Sequence, residues 1–154
     1  MHKKISKEKN VIRKVKRQDS KGVWKIRSHS FNRKYFGKKE RIPFNYHDKW
    51  FENKYFKSQD NKCFVLKKEK KVIGYCRFDL ENGKYRISIA IDPQYHGKGL
   101  GHILFSTSLK KIRTKRDILA EIQLGNLPSV KLFQKNNFEI YRQDDKNYYL
   151  KYKA

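Results

Sequence analysis

The stretch Ile87-Ser88-Ile89-Ala90-Ile91-Asp92-Pro93-Gln94-Tyr95-His96-Gly97-Lys98-Gly99-Leu100-Gly101 constrains the fold more than any other part of this chain. Its first five residues read as a buried strand, Asp92-Pro93 as a turn, and the glycines as a loop that opens directly into a helix. Leu100, Ile103, Leu104, Phe105, Leu109 and Ile112 form a broad apolar stripe at helical spacing over 99–112. A strand that enters a helix through such a loop aims several backbone N–H groups at one point, at the positive end of the helix dipole. That arrangement binds a phosphate or pyrophosphate. Glycine at 97, 99 and 101 lets the backbone approach an anion with no Cβ in the way. The plain alternative, a tight turn that happens to use glycine, gives no reason for three alternating glycines around Lys98. The triphosphate pattern Gly-x-x-x-x-Gly-Lys-Ser/Thr is absent. So is the dinucleotide fingerprint, which needs an early strand and a downstream acid in a βαβ unit.

The rest of the chain supplies the partners for this unit. Residues 11–16 alternate apolar and basic and read as a strand. Asp19 or Ser20 caps a short helix through Val23, Trp24 and Ile26. A second helix starts at Pro43-Phe44-Asn45 with Asn45 as N-cap, and puts His47, Trp50 and Phe51 on one face. Strands follow at 62–67 and 71–79, then 84–91 after the Glu81-Asn82-Gly83 turn. A strand at 118–124, a helix from Pro128 to about Asn136 ended by a left-handed Asn137, and strands at 138–142 and 147–151 complete the order. This order implies a mixed α/β domain around one twisted sheet, with 1–9 as a flexible basic tail and 10–154 as a single domain. A two-residue loop at Glu69-Lys70 places Cys63 opposite Cys76. The pair is then either two reduced core thiols or a strained cross-strand disulfide.

The chain has 39 basic and 15 acidic residues among 154, a formal net charge of +24. Such a charge invites a nucleic-acid partner. A lysine-, asparagine- and isoleucine-rich, AT-biased composition accounts for much of it as solvated surface, and a polyanionic small ligand also favours a positive cleft. No apolar run is long enough to span a membrane and no signal-peptide core is present, so a cytoplasmic protein is expected. Two cysteines fit a reducing compartment and give no metal-ligand spacing.

The loop His96-Gly97-Lys98-Gly99-Leu100-Gly101 resembles the Gln/Arg-x-x-Gly-x-Gly/Ala signature of GCN5-related N-acetyltransferases (GNAT), with His96 in place of Gln or Arg. Downstream, Asn126-x-x-Ser129-x-x-Leu132-Phe133-x-Lys135-x-Asn137-Phe138 resembles that family's second signature. The resemblance covers residues 10 to about 152. It implies a three-layer α/β/α acyl-CoA N-acyltransferase fold, with a mostly antiparallel sheet of about seven strands and about four helices. It also implies acetyl-CoA as acyl donor, no metal, and direct attack by a primary amine. On the family pattern the loop, with Leu100, holds the pyrophosphate. A backbone N–H among Ile89, Ala90 and Ile91 polarises the thioester, and Asn126, Ser129, Phe133 and Lys135 flank coenzyme A. Trp24-Lys25-Ile26-Arg27, Arg33, Ile42, His47-Asp48-Lys49-Trp50-Phe51 and residues 73–79 resemble a subgroup that acetylates nucleotide-linked amino sugars, typified by pseudaminic-acid biosynthesis. The other acceptors left open are a protein or peptide amine, with a basic nucleic-acid-binding module as a different class. A monomer and a homodimer are equally open.

Phe133 stands where the family carries a tyrosine acid, so either another group such as Tyr141 protonates the leaving thiolate or none does. For the base, His47 has a suitable ordinary pKa, but is equally a packing histidine. Glu121 takes a proton through water if it faces the cleft, or is a strand carboxylate paired with a lysine. Asp79 is in phase with Arg77 and Tyr75, but also suits a turn-capping acid. Arg27, Arg33 and Arg77 are candidates for an anionic part of the acceptor, with surface ion pairs as the alternative. Trp50 and Phe51 are candidates to stack on a sugar or base. Lys131 and Lys135 either reach coenzyme A phosphates or are exposed helix lysines.

Overall fold

A computed structural model describes residues 10–29, 32 and 40–153. The segment 1–9 and Arg33 lie outside the described residues. Seven strands form one sheet: β1 (Asn10–Lys14), β2 (Lys62–Lys68), β3 (Lys71–Glu81), β4 (Lys84–Ile91), β5 (Ile118–Gln123), β6 (Phe138–Gln143) and β7 (Asn147–Tyr152). Their spatial order is β1-β2-β3-β4-β5-β7-β6. All neighbours are antiparallel except β4 and β5, which are parallel. The α-helices among the described elements are α1 (Ser20–Ser28), α2 (Phe44–Glu52), α3 (Leu100–Ile112) and α4 (Leu127–Lys135).

The sheet is covered on both faces. Val23 and Ile26 of α1 and Phe51 of α2 pack with Val65, Tyr75 and Ala90 on one face. Leu104 and Phe105 of α3 and Val130 and Phe133 of α4 pack with Phe78, Ile87, Ala120 and Leu150 on the other. Burying each of these large apolar side chains contributes about 1.5–3 kcal/mol. Among the described residues this gives a mostly antiparallel seven-stranded sheet covered by four α-helices, the three-layer α/β/α fold that the resemblance implies.

Local details depart from the sequence reading where a cheaper bond was available. The second helix begins at Phe44, capped by Pro43 rather than Asn45: the Pro43 carbonyl accepts N–H bonds from Tyr46 and His47 at 3.1 Å each. Asp19 precedes α1 but makes no side-chain cap. Its buried carboxylate instead accepts two Arg13 bonds at 2.7 and 3.0 Å and the Lys16 N–H at 2.7 Å, tying β1 to α1.

The β2–β3 hairpin turns at Glu69-Lys70, with Glu69 left-handed at φ 57°. Lys67 pairs with Val72, but Leu66 pairs with Gly74, so Ile73 is bulged out of register. The slip moves Cys63 opposite Arg77 and Phe64 opposite Cys76. A one-residue shift reverses the face of every later side chain. Cys63 therefore lies under α1 and α2, Cys76 lies under α3, and both are buried free thiols. The cross-strand disulfide is ruled out by this register.

Helix α1 crosses β3 at Gly22, where an added Cβ would sit 2.7 Å from the Cβ of Val72. Alanine gains about 1 kcal/mol of helix propensity over glycine. Overpacking against a stiff β-branched side chain costs about 1–3 kcal/mol. Gly22→Ala is therefore expected to lower unfolding stability by about 1 kcal/mol in urea denaturation, and a stabilised variant would show that α1 can slide on β3.

Candidate active site

Strands β4 and β5 pair only at Tyr85–Ile118 and Arg86–Leu119. Beyond Arg86 they separate. The Tyr85 N–H donates to the Asp117 carbonyl at 2.9 Å, so Tyr85 points its backbone toward β5. Backbone groups alternate sides along a strand. Ile89 and Ile91 therefore present their N–H and C=O groups to the gap, and Ile87 its C=O, while Ala90 presents its own to β3. The Asp92 N–H, bonded to the Ile73 carbonyl at 2.8 Å, confirms the alternation. Of the three open carbonyls, that of Ile91 is taken by His96, whose Nε2–H donates to it at 2.9 Å. His96 thus pins the glycine loop to the strand end.

Between strand and loop, the Asp92 carboxylate caps the short turn Pro93–Tyr95 by accepting the Gln94 N–H at 3.0 Å. Gly97 and Gly99 are both left-handed at φ 77°, with open space where a Cβ would point. Glycine is required there by backbone conformation rather than by crowding. Gly101 differs: it lies in the first turn of α3, where a Cβ would make ordinary contact with Leu132 at 3.6 Å. Lys98 is exposed. The unbonded amides of the first α3 turn face this loop.

A cleft of about 1140 Å³ runs from this loop along the gap and over the sheet face that carries α1 and α2. Gly97, Gly99, Leu100, Asn126, Ser129 and Lys135 line its donor end. Arg27, Trp50, Arg77, Ser88 and Glu121 line the other. Register puts Ser88 directly opposite Arg77 and Arg86 opposite Asp79. Trp50 forms a wall, with the Arg27 guanidinium carbon 4.1 Å from its ring centroid and that of Arg77 at 5.3 Å. Glu121 stands partly exposed, accepting from Asn147 Nδ2 at 3.2 Å and lying 3.3 Å from Arg86.

The sequence model described as the acetyltransferase (GNAT) family matches residues 24–138. This chain belongs to the acetyltransferase (GNAT) family. It is an acetyl-CoA-dependent N-acyltransferase. The chain is 26% identical over 132 residues to a Bacillus subtilis (strain 168) protein provisionally named as a [ribosomal protein bS18]-alanine N-acetyltransferase, covering 84% of this chain and 80% of that one. It shares its fold with the ribosomal-protein-alanine N-acetyltransferase of Brucella melitensis, with a TM-score of 0.79 at 17% identity, over 94% of this chain and 99% of that one. A Salmonella typhimurium protein provisionally classed as an acetyltransferase and solved with acetyl-CoA aligns with a TM-score of 0.80 at 18% identity, over 93% and 92% of the two chains. Among the described residues no helix is long and apolar enough to cross a membrane, and no group of three His, Cys, Asp or Glu gathers to hold a metal.

The structure sorts the candidates for an acetyltransferase mechanism sharply. His47 is buried, with both ring nitrogens engaged: Nε2–H donates to the Ser20 carbonyl at 3.0 Å and Nδ1 accepts from Arg27 at 3.2 Å. Burial, reinforced by the Arg27 charge, pushes its pKa down to about 4. An imidazole with no free lone pair removes no substrate proton, so the base expected at His47 is corrected to a clamp between α1 and α2. Asp79 is also enclosed, accepting from the Tyr55 hydroxyl at 2.8 Å and from Arg77, with Lys54 at 3.9 Å. It neutralises buried charge instead of abstracting protons. Phe51 is wholly buried beneath α2 and does not line the cleft, whereas Trp50 on the same helix does.

Phe133 packs edge-on against Phe105 and Phe138, at 4.6 and 5.1 Å between ring centroids. Tyr141 is exposed on the edge strand β6 and does not line the cleft. Lys131 is exposed, while Lys135 lines the donor end. Ser88 and Asn147 line the cleft and were not singled out from sequence. Ser88 had a signal: it sits two residues from Arg86 and Ala90, in phase with both.

The buried neutral His47 has a thermodynamic signature. Its folded pKa lies below the ordinary value, so between pH 6.5 and 4 the unfolded chain binds a proton that the native state refuses. Stability from this site is complete above pH 6.5 and falls by about 3 kcal/mol on descending to pH 4. His47→Gln is expected to flatten that part of the pH–stability curve. Identical slopes in the two proteins would mean that His47 titrates normally.

Proposed function

We propose that this enzyme transfers the acetyl group of acetyl-CoA to the 4-amino group of a nucleotide-linked amino sugar, by direct attack in a ternary complex. The observation that carries this reading is the placement of Trp50, Arg27 and Arg77 on the same sheet face as the open edge of β4. That face brings an aromatic wall and cationic groups to the point where a thioester in the gap is attacked. The glycine loop from His96 to Gly101 and the first turn of α3 suit the pyrophosphate. Asn126, Ser129 and Lys135 flank the same ligand. The Ile89 N–H, at mid-gap, is placed to donate to the thioester oxygen as negative charge develops, with Ile91 and Ala90 shaping the strand on its loop side. A donor of this kind contributes about 3 kcal/mol.

Glu121 is the base in this reading. It lies across the gap on β5, partly exposed in the cleft, and takes the amine proton directly or through one water. Phe133 offers no proton, so coenzyme A leaves as the thiolate and is protonated by solvent, a course open to a thiol because it is a far stronger acid than an alcohol. The similarity to a protein named for ribosomal-protein alanine acetylation favours a second reading, a protein N-terminal amine. Trp50 and two arginines in the cleft wall suit a phosphorylated sugar better than the cationic terminus of a peptide.

Incubation of the enzyme and acetyl-CoA with UDP- and dTDP-linked 4-amino sugars, and separately with an alanine-terminated peptide, separates the two readings. Thiol release is expected with a sugar nucleotide, and release with the peptide alone would displace the sugar reading. On the productive acceptor, Glu121→Gln is expected to lower kcat about 10²–10⁴-fold and to remove the acidic limb of the pH–rate profile. A fall smaller than about tenfold excludes Glu121 as the base.

A further inference from the structure

The acceptor end of the cleft holds more positive charge than it neutralises. Arg77 is matched by Asp79, whose carboxylate also serves Tyr55 and Lys54. Arg27 has no carboxylate partner among the described residues; its hydrogen bond is to the neutral Nδ1 of His47. The other acids lining the cleft, among them Glu40, Glu81 and Glu121, make no ion pair with either arginine among the described residues. Arg27, Arg77 and Lys54 therefore stand against Asp79 alone. Burial and repulsion from Arg77 both act against the Arg27 charge, yet a guanidinium does not neutralise itself by losing a proton. A half-buried cation without a counter-ion is costly.

A hydrogen-bond donor is unspent at the same place. Arg77 lines the cleft, and its Nε is buried with no hydrogen-bond partner. Buried polar groups are ordinarily paired, and an orphan donor beside an uncompensated cation is completed by a ligand oxygen. Trp50 fixes the geometry, since both guanidiniums rest against its one indole.

We infer that Arg27 and Arg77, seated on Trp50, form an oxyanion subsite for the acceptor, which selects amines that carry a phosphate or carboxylate group over amines that are only cationic. The identity of that group as a nucleotide diphosphate rests on the sugar-nucleotide reading; the subsite itself does not. His47 is its positioning residue. With Nε2–H committed to the Ser20 carbonyl, its Nδ1 lone pair holds the Arg27 fork at the cleft wall. A glutamine reproduces both bonds, accepting through its carbonyl and donating through its amide, whereas alanine reproduces neither.

Calorimetric titration of the coenzyme A-bound enzyme with UDP, dTDP and succinate tests this in wild type, Arg27→Gln, His47→Ala and His47→Gln, with unchanged acetyl-CoA affinity as the control for folding. UDP or dTDP is expected to bind about tenfold more weakly to Arg27→Gln and to His47→Ala, and near wild-type strength to His47→Gln, as the loss of one charge-assisted contact dictates. Arg27-dependent binding of succinate alone keeps the subsite and removes the nucleotide reading. Binding that Arg27→Gln leaves unchanged, or no binding of any of the three, overturns the subsite, and turnover on nucleotide sugars then judges the acceptor reading by itself. Equal effects of His47→Ala and His47→Gln remove the positioning role.

Discussion

Everything in this protein's chemistry depends on how little β4 and β5 pair. Two parallel rungs hold them at Tyr85 and Arg86, and then the strands part. Backbone N–H and C=O groups left unpaired inside a protein are expensive, and native structures rarely tolerate them. A sheet that opens in its own middle does so only where something else satisfies the edge. Here one carbonyl, that of Ile91, is satisfied by His96, and the remainder of the edge is open for a ligand that can hydrogen-bond like a strand. The same opening places the helix α3 dipole and the left-handed glycines beyond the end of the strand, so the long axis of the donor is set by backbone alone.

The opposite demand governs the acceptor end, where side chains do the work. One carboxylate, Asp79, serves an arginine, a tyrosine and a lysine. One indole supports two guanidiniums. One imidazole, held neutral by burial, joins α1 to α2 and steadies Arg27. If the proposed subsite holds, this region shows the ordinary exchange between stability and function: a fully neutralised cluster would be more stable and would have nothing left to offer a substrate.

The donor side was legible because strand, glycine loop and helix are contiguous, and a contiguous pattern carries its geometry with it. The order of elements along the chain was legible for the same reason, since hairpins and turn residues are local, whereas the insertion of β7 between β5 and β6 was not. The acceptor side was less so. Trp50 and Phe51 are adjacent on one helical face by spacing, yet one lines the cleft and the other fills the core. That choice belongs to the crossing of α2 over the sheet, which no local pattern encodes. His47 was attractive for its ordinary pKa, and its burial between two segments 27 residues apart, at Ser20 and His47, removed that property. Asn45 lost the cap to Pro43 because a backbone carbonyl sufficed. Glu121 lines the cleft, since a strand alternating buried and exposed residues left it on the open face, and it is also ion-paired there, with Arg86 in place of the expected lysine.

The bulge at Ile73 has a further consequence. Side chains on β3 are counted off from it, and all chemistry on that strand inherits its parity. With a regular hairpin, Tyr75, Arg77 and Asp79 would be driven into the oily layer beneath α3, and Cys76 and Phe78 would line the cleft. One inserted residue therefore decides whether this strand is a piece of core or the floor of a binding site.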